Sequence, residues 1–480
     1  MDLLKKFVKT SGIYFLGKAL SFVVTFLMLK VYTANISTEG YGYYDLIVSY
    51  IQTLIPFVFI EIWSGMLRRV LFHTEQRDKN KTITTSLFFL LVVFVFYSIS
   101  YWCFFSIFYF KGGTLVFVYS VSYLFYSYFC ILSRALQQNK LFAISGIVGS
   151  LGNATIGLIS IYILKCDYEA LFLALIANYM IQVALIFFVT KSWKFFKLSQ
   201  FDRFEAKEMF KFCLPLSLNT LVNYAYTGLY KTIVNNSLGT DVLGIYTVSI
   251  KFAAIITFIG AIFHLAWQEI AYSTISKYEN KTHAYARGLE LFGCVVGIGC
   301  SIILPIIKIL FPFLIGSAYA KAADLVPYYY LYIYYYMING FLYNILSAEN
   351  KTNMLFVGKF IGTVVLLGLI YALLSLLDIV AIPLSIVIAS IIEYIFLRVY
   401  ITNKCDIRYI NCSSIITVVL YFIGCYVYLS FGIIANAIWL IIALMLSFGV
   451  SYFTNKGFIN QVIHEMKSGL MKSKNEKYNI

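Results

Sequence analysis

Two stretches decide how this chain folds: Thr38-Glu39-Gly40-Tyr41-Gly42-Tyr43-Tyr44 and Thr240-Asp241-Val242-Leu243-Gly244-Ile245-Tyr246. Both read Thr-acid-x-x-Gly-x-Tyr, at a constant offset of 202 residues. Taken alone the match is weak, because a shared turn signal of glycine and an acidic residue would account for it. Position gives it weight: the two copies follow the first and the seventh of a series of apolar runs. Six spans, an even number, separate them, so the two halves insert with the same orientation. Parallel repeats of this kind are related by an axis along the membrane normal, with a substrate site between them.

Working outward, the apolar runs cover the chain. Of its 480 residues 61% are hydrophobic and 12% charged, whereas a soluble protein is usually about 45–50% apolar and about 25% charged. Crossing roughly 30 Å of hydrocarbon takes about 20 mostly apolar residues. Runs of that size lie at 10–31, 45–67, 83–108, 114–133, 141–164, 169–190, 209–235, 242–270, 288–311, 322–347, 354–376, 379–400, 413–432 and 434–453. The expected fold is an all-α polytopic membrane protein of about fourteen transmembrane helices. Two parallel six-helix lobes, 1–195 and 196–410, are followed by two extra helices over 411–455 and a basic cytoplasmic tail over 456–480. The first run is too long for a secretory h-region and contains Lys18, so it reads as a retained span.

The net charge of +15 would suit nucleic acid, but its placement argues for topology. Alternate loops (5–9, 68–81, 134–140, 191–211, 277–287, 351–359, 398–408 and 456–477) hold about 29 of the 37 basic residues, and the intervening loops about five. This is the positive-inside pattern of a bacterial cytoplasmic-membrane protein with both termini in the cytoplasm. No nucleic-acid partner is expected. The segment 191–211 mixes basic residues with Trp193, Phe195, Phe196, Phe201 and Phe204 and reads as an interfacial amphipathic helix. Nine cysteines without CxxC spacing and four scattered histidines indicate free thiols and no metal site. No GxxxxGK[ST] phosphate loop occurs, and no cofactor is expected.

Polar residues inside spans are the candidate site. Tyr14, Lys18, Ser21 and Thr25 share one face of span 1, and Asn219, Asn223, Thr227 and Lys231 share one face of span 7. Such a stripe must look toward protein or water, and small polar residues also serve as helix–helix glue. Glu61 in span 2 matches Lys18 in depth, and two readings stay open: a structural pair, or a cavity lining with a coupling role. Lys231 and Lys251 each lie ten residues from Asp241, on adjoining spans with no acid apparent at that depth. An intramembrane lysine costs about 2.5–3.5 kcal/mol on insertion scales. An anion between the two is the preferred reading, with snorkelling to the outer interface the alternative. Pro56, Pro215, Pro305 and Pro383 interrupt spans, and the tyrosines of span 10 read as an interfacial belt.

Several segments resemble the O-antigen and capsule repeat-unit flippases, the Wzx-type polysaccharide transporters of the multidrug/oligosaccharidyl-lipid/polysaccharide exporter superfamily. They are Leu16-Gly17-Lys18 through Glu39-Gly40-Tyr41-Gly42, Leu214-Pro215-Leu216 with Leu238-Gly239-Thr240-Asp241 through Tyr246, Ala266-Trp267-Gln268, and Ala322-Ala323-Asp324-Leu325-Val326-Pro327 through Lys351-Thr352. Where many members carry Asp-Arg late in span 7, this chain has Tyr230-Lys231. The resemblance implies a V-shaped pair of lobes around a cationic cavity containing Lys18, Lys231 and Lys251. The substrate implied is a polyprenyl-diphosphate-linked oligosaccharide, moved by alternating access and coupled to an ion gradient. Membrane lipid, a polysaccharide polymerase and a chain-length regulator are the implied partners. Two competing readings remain: a peptidoglycan-precursor flippase or drug/cation antiporter of the same superfamily, and a membrane polysaccharide polymerase, an enzyme class that needs a larger outward loop than this chain has. The topology gives the first expectation: an alkaline-phosphatase fusion at Ile480 is inactive, and an active one overturns the orientation.

Overall fold

The computed structural model describes residues 21, 23–195, 197–273, 281–349, 351, 353–405, 407, 412–447 and 449. The expected basic tail over 456–480 lies outside the described residues, as do Tyr14 and Lys18. Within the described residues the chain is helical, with no strand. The helices are α1 (Val23–Asn35), α2 (Thr38–Val58), α3 (Ile62–Phe72), α4 (Gln76–Ile107), α5 (Gly113–Ala135), α6 (Asn139–Tyr162), α7 (Tyr168–Val189), α8 (Arg203–Thr227) and α9 (Leu229–Ser237). They continue as α10 (Thr240–Ser273), α11 (Lys281–Leu314), α12 (Ala322–Ala348), α13 (Asn353–Leu377), α14 (Ala381–Cys405), α15 (Cys412–Ser430) and α16 (Ile433–Ser447). Within the described residues, which leave out 10–20 and 22 of the first span and 448 and 450–453 of the last, the expected spans fall on these helices or on a helix pair.

Span 2 is such a pair: α2 and α3 meet at 53°. Span 7 is the other, split between α8 and α9 at Gly228, where an added Cβ would lie 2.3 Å from the Tyr224 ring. Of the interrupting prolines, Pro56 lies just ahead of a break, whereas Pro215 and Pro305 lie within α8 and α11. Pro383 sits in the first turn of α14, where a missing N–H costs nothing.

The segment 191–211 is not one interfacial helix. It forms two short 3-10 turns, Ser192–Phe195 and Leu198–Gln200, before α8 begins. Tethers to α4 explain why: Thr84 Oγ1 donates to the Phe195 carbonyl at 2.8 Å, and Thr85 Oγ1 accepts from the Asp202 N–H at 3.0 Å. Asp202 then caps α8, accepting from the N–H groups of Phe204 and Glu205.

Contacts divide the chain into two compact units, Met1–Val248 with Phe313–Lys321, and Ser249–Pro312 with Ala322–Ile480. These units differ from the lobes read in the sequence, since α8, α9 and the start of α10 pack with the first unit. The core of that unit is apolar and aromatic, with Ile55, Phe59, Met66, Leu90, Tyr119 and Tyr128 fully buried. In the second unit Glu393 on α14 is fully buried, with Lys359 Nζ at 3.0 Å and the Tyr343 hydroxyl at 2.5 Å from its Oε1. Lys359, grouped with an inner loop in the sequence, therefore lies within α13 and reaches across to α14.

The two copies of the repeat motif touch. Thr38 Oγ1 donates to Asp241 Oδ1 at 2.9 Å. A Cβ on Gly42 would lie 2.0 Å from the Thr240 carbonyl oxygen, and a Cβ on Gly244 would lie 2.1 Å from that of Thr38. The starts of α2 and α10 thus cross symmetrically, each glycine admitting the other helix's backbone. The corner before α2 is held further by Asp167, which accepts from the Ser37 N–H and hydroxyl at 2.8 Å each. Tyr319 donates to the Ile36 and Ser37 carbonyls at 2.9 Å. The motif is a packing device as well as a turn signal. Gly42→Ala and Gly244→Ala should each destabilise the protein by about 1–3 kcal/mol, because a rigid carbonyl cannot yield to the added methyl. Gly368, where an alanine methyl would meet nothing within 4 Å, is the control. Its alanine variant should keep or raise the detergent-phase unfolding midpoint, while the other two lower it.

Candidate functional site: a polar seam along a broken helix

The candidate site runs where α2 and α3 pack against α8 and α9, all within the first unit. Its centre is the break after α2. Phe59 is fully buried, with its ring 5.8 Å from that of Tyr97. The next two residues turn into the left-handed region, Ile60 at φ 54° and Glu61 at φ 46°. That region costs an L-residue roughly 1–2 kcal/mol, and a β-branched residue is rare there. Such strain persists only where surrounding contacts impose it. The Glu61 N–H reaches back to the Pro56 carbonyl at 2.8 Å, and its own carbonyl accepts from Cys213 Sγ at 3.5 Å. The turn aims the Glu61 carboxylate at α8, where the Thr220 hydroxyl donates at 2.5 Å; Ser64 Oγ adds a longer bond of 3.4 Å.

Toward the start of α2, Lys231 Nζ lies 2.6 Å from Asp45 Oδ2 and donates to Ser49 Oγ at 2.7 Å. Asp45 and Lys231 are 17% and 15% exposed. Beside them the Tyr50 and Tyr224 hydroxyls both contact Thr232 Oγ1, at 3.0 and 3.4 Å. This corrects the expectation that Lys231 has no acid at its depth. Asp45 is that acid, overlooked because it stands at the very start of span 2. Counted inward from the repeat motif, Asp45 is seven residues past Thr38 and Lys231 nine before Thr240. At 1.5 Å per residue the depths are roughly 10 and 14 Å, so helix arithmetic across the two motifs would have found the pair.

At the opposite end, just beyond the expected spans, Glu205 on α8 accepts from the Arg69 guanidinium. It accepts from Thr82 Oγ1 at 2.9 Å and lies 3.1 Å from His73 Nε2. Burial alone would push the Glu205 carboxyl up, but the Arg69 and Thr82 hydrogen bonds and the nearby Arg69 and His73 charges outweigh it and hold it below the usual carboxylate range. A carboxylate depressed in the folded state contributes stability that is fully present above its unfolded value near ~4.3 and lost as pH falls through the lower folded value. Thermal midpoints measured from pH 7 down to pH 3 should therefore fall more steeply for the unmodified protein than for Glu205→Gln. Equal slopes would remove Glu205 from the acid response.

The other expected site residues divide. Thr25 Oγ1 donates to the Ser21 carbonyl at 2.9 Å, within its own helix. Asn223 is exposed on α8, whereas the side chains of Asn219 and Thr227 lie outside the described residues. Lys18, the expected partner of Glu61, also lies outside them. Lys251 is half-buried in the second unit and has an interaction of its own. Sequence reasoning missed Asp45, Thr220 and the Arg69–Glu205–Thr82 cluster. Eight cysteines are free thiols.

Among solved structures, the chain is similar to the lipid II flippase MurJ in its inward closed conformation, at 15% identity and a TM-score of 0.70, over 94% of this chain and 100% of that one. It is also similar to an inward-facing multidrug resistance MATE transporter of the MOP superfamily, at 15% identity and TM-score 0.61, covering 80% and 96%. A MOP superfamily transporter from Pyrococcus furiosus, described as having a binding pocket of reverse polarity, follows at 16% identity and TM-score 0.55, covering 82% and 95%. No curated protein matches significantly. At these identities the likeness establishes the fold alone, that of a multi-pass membrane protein. Residues 35–324 match the profile of the polysaccharide biosynthesis protein family; the chain belongs to that family.

Proposed function

We propose that this protein is a flippase, carrying polyprenyl-diphosphate-linked oligosaccharide repeat units of an O-antigen, capsule or exopolysaccharide across the bacterial cytoplasmic membrane. The observation that carries the reading is the ionisable seam at a broken helix, in a chain that combines a transporter fold with membership of a polysaccharide family. Intramembrane charges that face protein mark substrate and ion pathways. Discontinuous helices are where transporters place such sites. In this reading transport is by alternating access, without catalysis by the chain itself. Glu61 is the carboxylate that couples it to an ion gradient, and both termini are cytoplasmic. Lys18, Lys231 and Lys251 supply the cations for the diphosphate. The Asp45 pairing adds a condition: the diphosphate must compete with Asp45 for Lys231, so binding stays reversible. A polymerase and a chain-length regulator would act on the exported units.

A second reading has one observation in its favour. The likeness to MurJ, a lipid II flippase, spans the whole of that chain. Complementation separates the two readings. Rescue of a strain lacking repeat-unit export supports the proposal, and rescue only of a strain depleted of its peptidoglycan-precursor flippase overturns it.

The seam is tested by a double-mutant cycle on export of repeat units. If Lys231 meets the diphosphate, Lys231→Gln lowers export about tenfold or more, the equivalent of ~1.4 kcal/mol, and Asp45→Asn lowers it much less. Lys231→Arg, which keeps the charge, retains part of the activity. A structural pair behaves otherwise: the single changes cost alike, and the double Asp45→Asn/Lys231→Gln recovers export. That second pattern removes Lys231 from the substrate site.

A further inference from the structure

An apolar groove opens on the first unit between α4 and α8. Ile62 and Met209 line it beside Thr85, Phe89 and Phe210, with exposed Lys207 among them, and its volume is about 280 Å³. On the two helices that border it, Phe88, Val92 and Phe96 of α4 and Leu214 and Leu218 of α8 are exposed. Apolar flanks of that size belong against acyl chains.

The charges beside it follow one face of α8. Arg203, Lys207 and Lys211 recur every fourth residue, all three are exposed, and none takes part in an ion pair among the described residues. Of the carboxylates beside them in sequence, Asp202 adjoins Arg203 and caps α8, and half-buried Glu208 adjoins Lys207. The basic-loop pattern places this end of α8 at the cytoplasmic surface. A stripe of cations above an apolar groove, at the level of the headgroups, fits an anion that carries a hydrocarbon chain.

We infer that this groove binds an anionic phospholipid of the inner leaflet, its phosphate on Arg203, Lys207 and Lys211 and one acyl chain between α4 and α8. A zwitterionic lipid brings its own ammonium group and gains less from the stripe. The lining offers nothing to a sugar: its hydroxyl, that of Thr85, is buried and accepts from the Asp202 N–H. The site also has a mechanical consequence. Glu205, within the same first turns of α8, is clamped to Arg69 on α3 and Thr82 on α4. A lipid seated here braces the helix that carries Thr220 and leads into Lys231.

The test is a lipid titration of the purified full-length protein by native mass spectrometry, with phosphatidylglycerol and phosphatidylcholine as probes. Phosphatidylglycerol should bind at least about tenfold more tightly, because each basic residue near the headgroups adds its own attraction to an anionic lipid. The triple change Arg203→Gln, Lys207→Gln, Lys211→Gln should weaken phosphatidylglycerol on the order of a hundredfold and abolish the preference. Lys207→Arg with Lys211→Arg should preserve it. Ala206 also lines the groove; Ala206→Trp fills it with all charges intact and should weaken both lipids, and Ala206→Leu serves if the tryptophan prevents folding. Equal binding of the two probes, or unchanged phosphatidylglycerol binding in a folded triple variant, overturns the inference. So does stoichiometric displacement of phosphatidylglycerol by a polyprenyl diphosphate, which would assign the groove to substrate. Lipid binding is read without transport, so a protein that binds as stated and flips nothing sinks the proposed function alone.

Discussion

Hydrocarbon cannot solvate an ammonium or a carboxylate, and the arrangement of the first unit follows from that constraint. Lys231 would be prohibitive on α9 alone, and Asp45 on α2 likewise. Together, 2.6 Å apart with Ser49 sharing the ammonium, they are tolerable, provided that α2 and α9 stay adjacent. Glu61 with Thr220, and Arg69 with Glu205, repeat the arrangement along the same pair of chain segments. The polar groups thus determine which helices must be neighbours, while apolar packing fills the space between them. This explains why α8 and α9 belong to the first compact unit although the repeat assigns them to the second half of the sequence.

The break at Ile60 and Glu61 gains its meaning from the same constraint. A straight helix through this point would keep its backbone unstrained. The left-handed pair spends roughly 2–4 kcal/mol of backbone strain if each residue costs 1–2. In return it orients a carboxylate toward a hydroxyl on the facing helix. Strain of this kind, inside a membrane and beside an ionisable group, accompanies a site whose geometry matters more than its stability. The second unit holds its charges differently: Glu393 and Lys359 meet on intact helices, with tyrosine rather than a helix break completing the contact.

Much of this was legible in the residues, for physical reasons that also mark where legibility ends. Span length is set by bilayer thickness, so the spans could be read, and within the described residues each falls on a helix or a helix pair. The repeat motif was legible as a pattern, but its contact was not. Only the backbone shows that Gly42 and Gly244 admit each other's helix. Asp45 was hidden because it stands at the very start of its span and its depth matches Lys231 only across two different spans. The left-handed turn at Glu61 leaves no trace in a non-glycine sequence, and Pro56 alone does not distinguish a broken helix from a bent one. The linker over 191–211 has the composition of an interfacial helix, but two threonines on α4 compete successfully for its backbone groups.

Under the proposed function, the pairing of Lys231 with Asp45 also limits what kind of substrate site the seam would be. An unpaired lysine in a low-dielectric cavity would hold a diphosphate tightly, and tight holding slows release on the far side. A lysine already neutralised by Asp45 offers a substrate only the difference between two ion pairs. That difference is small when both anions are well placed, and it favours the diphosphate chiefly through its larger charge. Transport needs such a balance, because a ligand moves an equilibrium only by its differential affinity for the two states. Under the proposed function, Asp45 would be the anion that Lys231 returns to when the substrate leaves, and the contact that stabilises the substrate-free fold would set an upper limit on how firmly the substrate is held.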